Sequence, residues 1–190
     1  MLRYFGLSAI LVAQLALSSP LFGTEKLDAV DLSGNSIDPF SSKANVQVLL
    51  FARSDCPITK RYAPEIQRLS GKFASKGVAF WLVFEDASET PGDIHTLIDQ
   101  YKYPGTPLRD PSHILARRAH ATVAPEAAVF DREGRLVYHG RIDDRYVDIG
   151  KSKPVAQVHD LENAISAVLS GTPVKESETR AVGCSLADVE

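Results

Sequence analysis

The chain holds two cysteines, Cys56 and Cys184, and their settings differ. Cys56 follows the apolar run Val46-Gln47-Val48-Leu49-Leu50-Phe51 and precedes a segment in which Ile58, Tyr62, Ile66, Leu69 and Phe73 recur at helical spacing. That places a thiol where a strand hands over to a helix. A thiol of pKa ~8.5 is only about 3% thiolate at pH 7, and the thiolate is the nucleophile. The unpaired N–H groups and dipole of a helix start favour an anion by ~0.3–1 kcal/mol, and by ~2 at most. At ~1.4 kcal/mol per pKa unit, that lowers the thiol pKa by less than about 1.5. Arg53 adds positive charge three residues earlier, whereas Asp55 opposes it. A nucleophilic Cys56 stands against the plainer reading of a small buried hydrophobe. Cys184, in Val182-Gly183-Cys184-Ser185 near the C-terminus, has three open roles. It is a thiol that resolves an oxidised Cys56, one half of a permanent bridge, or an exposed thiol that pairs with another molecule. The glycine beside it suggests a flexible or tightly turned approach.

The elements that must position these residues follow from periodicity. Val46 to Phe51 suits a buried strand. The helix from Ile58 to Phe73 ends before Gly77, and Val78 to Phe84 is a second buried strand. Pro91 to Tyr101 carries Ile94, Leu97, Ile98 and Tyr101 on one side of a short helix. Thr106 to Arg109 forms a brief strand, and Ser112 is placed to cap a helix running to about His120. Ala127 to Phe130, the turn Asp131-Arg132-Glu133-Gly134, and Arg135 to Tyr138 read as a hairpin. A last helix through Leu161, Ala164, Ile165, Val168 and Leu169 stops at Gly171, while Leu32-Ser33-Gly34-Asn35 makes an early turn. The alternation predicts a sheet with parallel pairs and helices on both faces.

Asp55-Cys56-Pro57-Ile58-Thr59-Lys60-Arg61-Tyr62-Ala63-Pro64 resembles the active-site stretch of thioredoxins, with Cys56 at the first cysteine, Lys60 at the lysine and Ala63-Pro64 at the helix kink. A proline inside a helix costs ~3 kcal/mol, so Pro64 is an unusual feature to share by chance. Val123-Ala124-Pro125-Glu126 precedes its strand as the cis-proline loop does in thioredoxin-like proteins. The resemblance therefore implies a cis Pro125 packed beside Cys56; a trans turn proline is the alternative. Asp131 to Gly140, the helix at Pro91 to Tyr101, and Pro107-Leu108-Arg109-Asp110 resemble redoxins of the AhpC/TSA type more than minimal thioredoxin. The likeness spans roughly residues 27 to 170. It implies an α/β thioredoxin-like fold, a central mixed sheet flanked by helices.

Departures from the pattern sharpen the chemistry. Thr59 stands where a dithiol oxidoreductase carries its second cysteine, so no disulfide closes within the turn. Against the Pro-x-x-x-Thr-x-x-Cys signature of peroxiredoxins, Arg53 takes the threonine place and Leu49 the proline place. That weakens a peroxidase reading, although Arg53 could still hold a peroxide oxygen. Arg53, Thr59 and Pro125 are the supporting residues expected around Cys56 and Cys184. His95, His113, His120, His139 and His159 show no metal-ligand spacing with either cysteine; His139 and His159 are the two whose proximity to Cys56 matters. Gly140-Arg141-Ile142-Asp143-Asp144-Arg145 either rims the site or forms a solvated loop, and Trp81 reads as core. No phosphate loop and no serine elbow is present in the sequence.

With 190 residues, 44% hydrophobic and a net charge of -3, the chain is neither disordered nor basic enough to track nucleic acid. Met1 to Tyr4, the apolar run Gly6 to Leu17 and small residues at Ala16, Ser18 and Ser19 read as an export signal. The expected layout is a signal peptide over 1–18 (cleavage as late as 23), a redoxin domain over 24–172, and a tail over 173–190 carrying Cys184. An uncleaved anchor is the alternative, the run being short of the ~20 residues of a span. The expectation is an exported, periplasmic or secreted thiol-based oxidoreductase. Its partners would be a disulfide or peroxide substrate and an external thiol reductant; no metal or other cofactor is called for, and no stable membrane span. The rival from another class is a non-catalytic thioredoxin-fold binding or metal-delivery module.

Overall fold

The computed structural model describes residues 29–186. The expected export signal lies outside the described residues. After a short 3-10 turn at Pro39–Ser41, the chain forms β1 (Val46–Phe51), α1 (Pro57–Phe73), β2 (Val78–Phe84), α2 (Pro91–Tyr101), β3 (Thr106–Arg109) and α3 (Ile114–Ala119). There follow β4 (Val123–Ala124), β5 (Glu126–Phe130), β6 (Leu136–Gly140), β7 (Tyr146–Asp148), β8 (Lys151–Ser152), α4 (Asp160–Leu169) and β9 (Cys184–Ser185). Five strands make the main sheet in the order β3-β2-β1-β5-β6. β1 and β2, and β2 and β3, run parallel; β5 is antiparallel to both β1 and β6.

β1 is buried along its whole length, which is why it reads as an unbroken apolar run and sits at the centre. Its side chains alternate between two cores. Val48 and Leu50 meet Ile66 of α1, Ile94 of α2 and Leu161 of α4 on one face. Leu49 and Phe51 meet Leu115 and Ala119 of α3 on the other. The mixed sheet with helices on both faces is thus as expected. Trp81 lies in the core, its Nε1 donating to Gln47 Oε1 at 2.9 Å.

Two sequence expectations need correction. Ser112 does not cap α3. His113 is the N-cap, in left-handed backbone with φ 54°, and Asp110 Oδ2 accepts from Ala116 N at 2.9 Å from outside the helix. Nor is Gly140–Arg145 a solvated loop: Ile142, Asp143 and Asp144 are buried. Asp143 Oδ1 accepts from Tyr62 OH of α1 at 2.6 Å, Asp144 binds Lys153, and Arg141 Nε donates to Asp160 at 2.7 Å. The charges of this segment tie β6 to α1 and α4.

The last described residues return to the sheet. His139 N donates to Ser177 O and Thr179 N to His139 O, laying the tail along β6. β9 then pairs antiparallel with β4.

Candidate active site

The register of the sheet brings the site together. Phe51, the last residue of β1, lies opposite Glu126, the first residue of β5. The connection from β1 to α1 therefore emerges beside the loop that ends in Pro125. The Ala124–Pro125 peptide is cis. Glu126 shapes this loop: its carboxylate accepts from Thr122 N at 2.9 Å and Val123 N at 3.2 Å, and burial raises its pKa. His139 lies against the same carboxylate, Nδ1 to Oε1 3.7 Å.

Cys56 is the N-cap of α1 and Pro57 the first helical residue. Pro at that position forfeits no intrahelical bond. Cys56 is 1% exposed and forms a disulfide with Cys184, Cα to Cα 6.1 Å. Its Sγ lies 3.2 Å from Ala124 O, on the residue before Pro125. The structure thus joins the two cysteines that the sequence left with three possible relations. It also puts Pro125 beside Cys56, as the resemblance implied.

Arg53 does more than supply charge. Its Nε and Nη2 donate to Asp55 at 3.0 and 2.9 Å, Asp86 lies 3.6 Å away, and Nη1 donates to Ser185 O at 3.2 Å. Hydrogen bonding to Asp55 raises the Arg53 pKa, and the guanidinium in turn holds Asp55 below the usual carboxylate range. The cation is shared by two carboxylates and the tail backbone. Thr59 is fully buried in the first turn of α1, and Tyr103 OH donates to its carbonyl at 2.8 Å. It fills the second-cysteine place as a packed residue. His159 lies against Glu65 at 3.9 Å.

One residue of the site escaped the sequence reading, and a second was read without the contact that explains it. Glu89, 35 residues beyond, accepts from Ser54 N in the turn before Cys56, and burial raises its pKa. Gly183 packs so closely that a Cβ there would come within 2.2 Å of Ala124 O. The glycine beside Cys184 was the signal, and close approach is its explanation. Glu89 had none, because nothing local marks an acid that folds back from another loop.

Chemically, the arrangement is a disulfide whose one sulfur belongs to a helix start. Breaking it leaves the Cys56 thiolate facing the positive end of α1 and a partner thiol on a tail that the sheet edge holds in place. Glu65, His159 and Glu162 approach one another as a group that could hold a cation, but Arg68 and Lys72 already pair with Glu162.

The chain resembles solved structures throughout the described fold. A hypothetical protein of Sinorhizobium meliloti 1021 is 27% identical, with a TM-score of 0.69 over 82% of this chain and 86% of that one. An uncharacterized conserved protein of Geobacillus kaustophilus is also 27% identical, with a TM-score of 0.70 over 81% and 83%. A secreted disulfide oxidoreductase of Mycobacterium tuberculosis, homologous to DsbE of Escherichia coli, shares the thioredoxin-like fold at 19% identity, with a TM-score of 0.52 over 78% and 98%. No curated protein sequence matches the chain. The AhpC/TSA family model matches residues 20–139, from ahead of β1 to near the end of β6 and across both Cys56 and Pro125. By that match, and with the fold it requires now in view, the chain belongs to the AhpC/TSA family.

Proposed function

We propose that this protein is an exported thiol–disulfide oxidoreductase whose working pair is Cys56 and Cys184. The observation that carries the reading is the bond between these two cysteines at the start of α1, beside Pro125. In the cycle, an external dithiol reduces the Cys56–Cys184 bridge and is itself oxidised to a disulfide. The Cys56 thiolate then attacks one sulfur of a substrate disulfide, forming a mixed disulfide and expelling the other sulfur as thiolate. Cys184 attacks Cys56 Sγ, the mixed disulfide breaks, and the substrate leaves fully reduced as the bridge re-forms. Each turn moves two electrons from the dithiol to the substrate. Export supports this chemistry, because disulfides persist in oxidising compartments; the support for export is the residue pattern of positions 1–18.

Disulfide rather than peroxide is the favoured substrate because the group in the peroxidase threonine place, Arg53, is bonded to Asp55 and to the tail. The test is turnover of a model disulfide and of hydrogen peroxide with a dithiol reductant, beside intact mass after thiol alkylation. Wild type should reduce the disulfide, Cys56→Ser should be inactive, and Cys184→Ser should accumulate the mixed disulfide. Full activity in Cys56→Ser would overturn the proposal. Turnover of peroxide alone would replace the disulfide with a peroxide as substrate. A bridge that neither reduces nor re-forms would leave a binding module.

A further inference from the structure

The groove beside Cys56 is filled by a segment of this same chain, and the fit extends well beyond the cysteine. Residues 182–186 run along the edge of β4, with Cys184 opposite Ala124 and Ser185 opposite Val123. The position before the cysteine has no room for a side chain, since a Cβ on Gly183 would fall 2.2 Å from Ala124 O and 3.0 Å from Pro125 N. The carbonyl after the cysteine, Ser185 O, accepts from Arg53 Nη1 at 3.2 Å. Two residues after it, Leu186 N donates to Thr122 O at 2.9 Å. The Leu186 side chain is buried in the cluster that contains Phe51, Ala121 and Ala124. Val182, two residues before the cysteine, packs against the other core.

A bridge alone requires only two cysteines at bonding distance. Here a backbone edge, a site closed to Cβ atoms, a guanidinium on one carbonyl and an apolar pocket all read the chain around the cysteine. These are the ingredients of extended-peptide recognition, in which main-chain pairing gives affinity and alternate side-chain pockets give specificity. We infer that this groove selects partner proteins by an extended segment of the form apolar-Gly-Cys-x-large aliphatic, and that residues 182–186 are a resident copy of that segment. The inference rests on the thiol–disulfide reading and names its substrate class. Reduction frees the tail from its covalent hold, and a partner segment then takes its place on β4. Substrates with a side chain before the cysteine, or a charge two residues after it, are refused.

The probe is the peptide Ala-Val-Gly-Cys-Ser-Leu-Ala, matching residues 181–187, joined through its cysteine to thionitrobenzoate. The full-length Cys184→Ser protein is the reagent. The Cys56 thiol loses its proton to solvent and its thiolate attacks the peptide sulfur. The peptide–thionitrobenzoate bond breaks, the Cys56–peptide disulfide forms, and thionitrobenzoate leaves. Peptides with Gly→Ala or Leu→Asp, and glutathione carrying the same leaving group, are the comparisons. The parent peptide should react about tenfold faster than either altered peptide, the scale of losing one well-packed apolar contact. Because the tail of the Cys184→Ser protein still competes for β4, the Gly183→Ala/Cys184→Ser protein, whose tail no longer fits, should take up the parent peptide faster than Cys184→Ser alone.

Equal rates for the three peptides in both proteins would overturn the inference. If glutathione also reacts in that case, the oxidoreductase reading survives without it. If no probe reacts with Cys56 in either protein, the oxidoreductase reading fails as well.

Discussion

Arg53 is held by three partners, and only one of them depends on the redox state. Asp55 and Asp86 are its partners whether or not the bridge exists; Ser185 O is its partner while the tail is docked. Arg53→Met should therefore leave the fold intact, since partly exposed ion pairs contribute ~0–1 kcal/mol. It should nonetheless shift the Cys56–Cys184 equilibrium towards the dithiol by about fivefold, the equivalent of ~1 kcal/mol for one hydrogen bond from a charged donor, discounted for solvent. Equilibration against a defined thiol–disulfide buffer measures this, and an unchanged equilibrium would deny Arg53 the role of clamp. Glu89 permits a pH test. Burial raises its pKa above the ordinary 4.5, so folding favours its protonated form. Its contribution to stability is full below 4.5 and is lost as pH rises through the elevated folded value. Glu89→Gln should abolish that increment, giving a smaller stability difference between mildly acidic and neutral pH than wild type in denaturant melts. Cys56 and Pro125 were legible in the sequence because each sits in a short string of residues with a recognisable local conformation. Glu89 was not, because its role exists only across a contact between distant segments, and the glycine beside Cys184 signalled a tight approach without showing that Ala124 is what it approaches.

At the scale of elements, long periodic segments declared themselves and two-residue strands did not. β1, α1 and β2 bury whole faces, so their apolar spacing was sufficient. β4 and β9 are defined by each other, with nothing in either pair of residues to mark a strand. The start of α3 was misread because Ser112 has the chemistry of a cap, whereas the chain instead used the buried Asp110 carboxylate. The run of the tail along β6 has a sharper requirement. Gly140 has φ 138°, and a Cβ on it would fall 2.2 Å from Thr179 O and 2.4 Å from Thr179 Oγ1. Thr179 Oγ1 is also the partner of Arg141 N at 3.1 Å and of Tyr138 OH at 2.7 Å. Gly140→Ala should push the tail off β6 and break this group of bonds, lowering stability by about 1–3 kcal/mol. It should also slow closure of the Cys56–Cys184 bridge after reduction, because the tail would no longer be led to the groove. Thermal melting reads the first effect and timed alkylation the second. A slow closure with normal stability would still fit a guiding role, but a normal rate would not.

For the whole molecule, the bridge joins residues 128 positions apart and closes most of the described chain into one loop. In the chain-entropy model such a link stabilises by up to ~5 kcal/mol, with strain and residual structure reducing that figure. At roughly 2–4 °C per kcal/mol for a chain of this size, reduction should lower Tm by about 5–15 °C. Cys184→Ser should melt like reduced wild type and be indifferent to reductant. The loss should not be shared evenly, because the main sheet is built from residues that precede the tail, which adds only Leu186 to one core and packs Val174, Val182 and Cys184 against the other. The tail itself is held by the bridge, by β4 and by the short run along β6, and Lys175 and Arg180 lie on it within reach of solvent. Trypsin should therefore cut after Lys175 and Arg180 much sooner in the reduced protein, while residues up to α4 survive as one resistant fragment. Mass analysis of a digestion time course, with and without reductant, decides the point. Equal cutting in both states would mean that non-covalent contacts alone retain the tail. Early cutting throughout the reduced chain would mean that the bridge supports the whole fold, and then reduction could not serve as a turnover step that leaves the site intact.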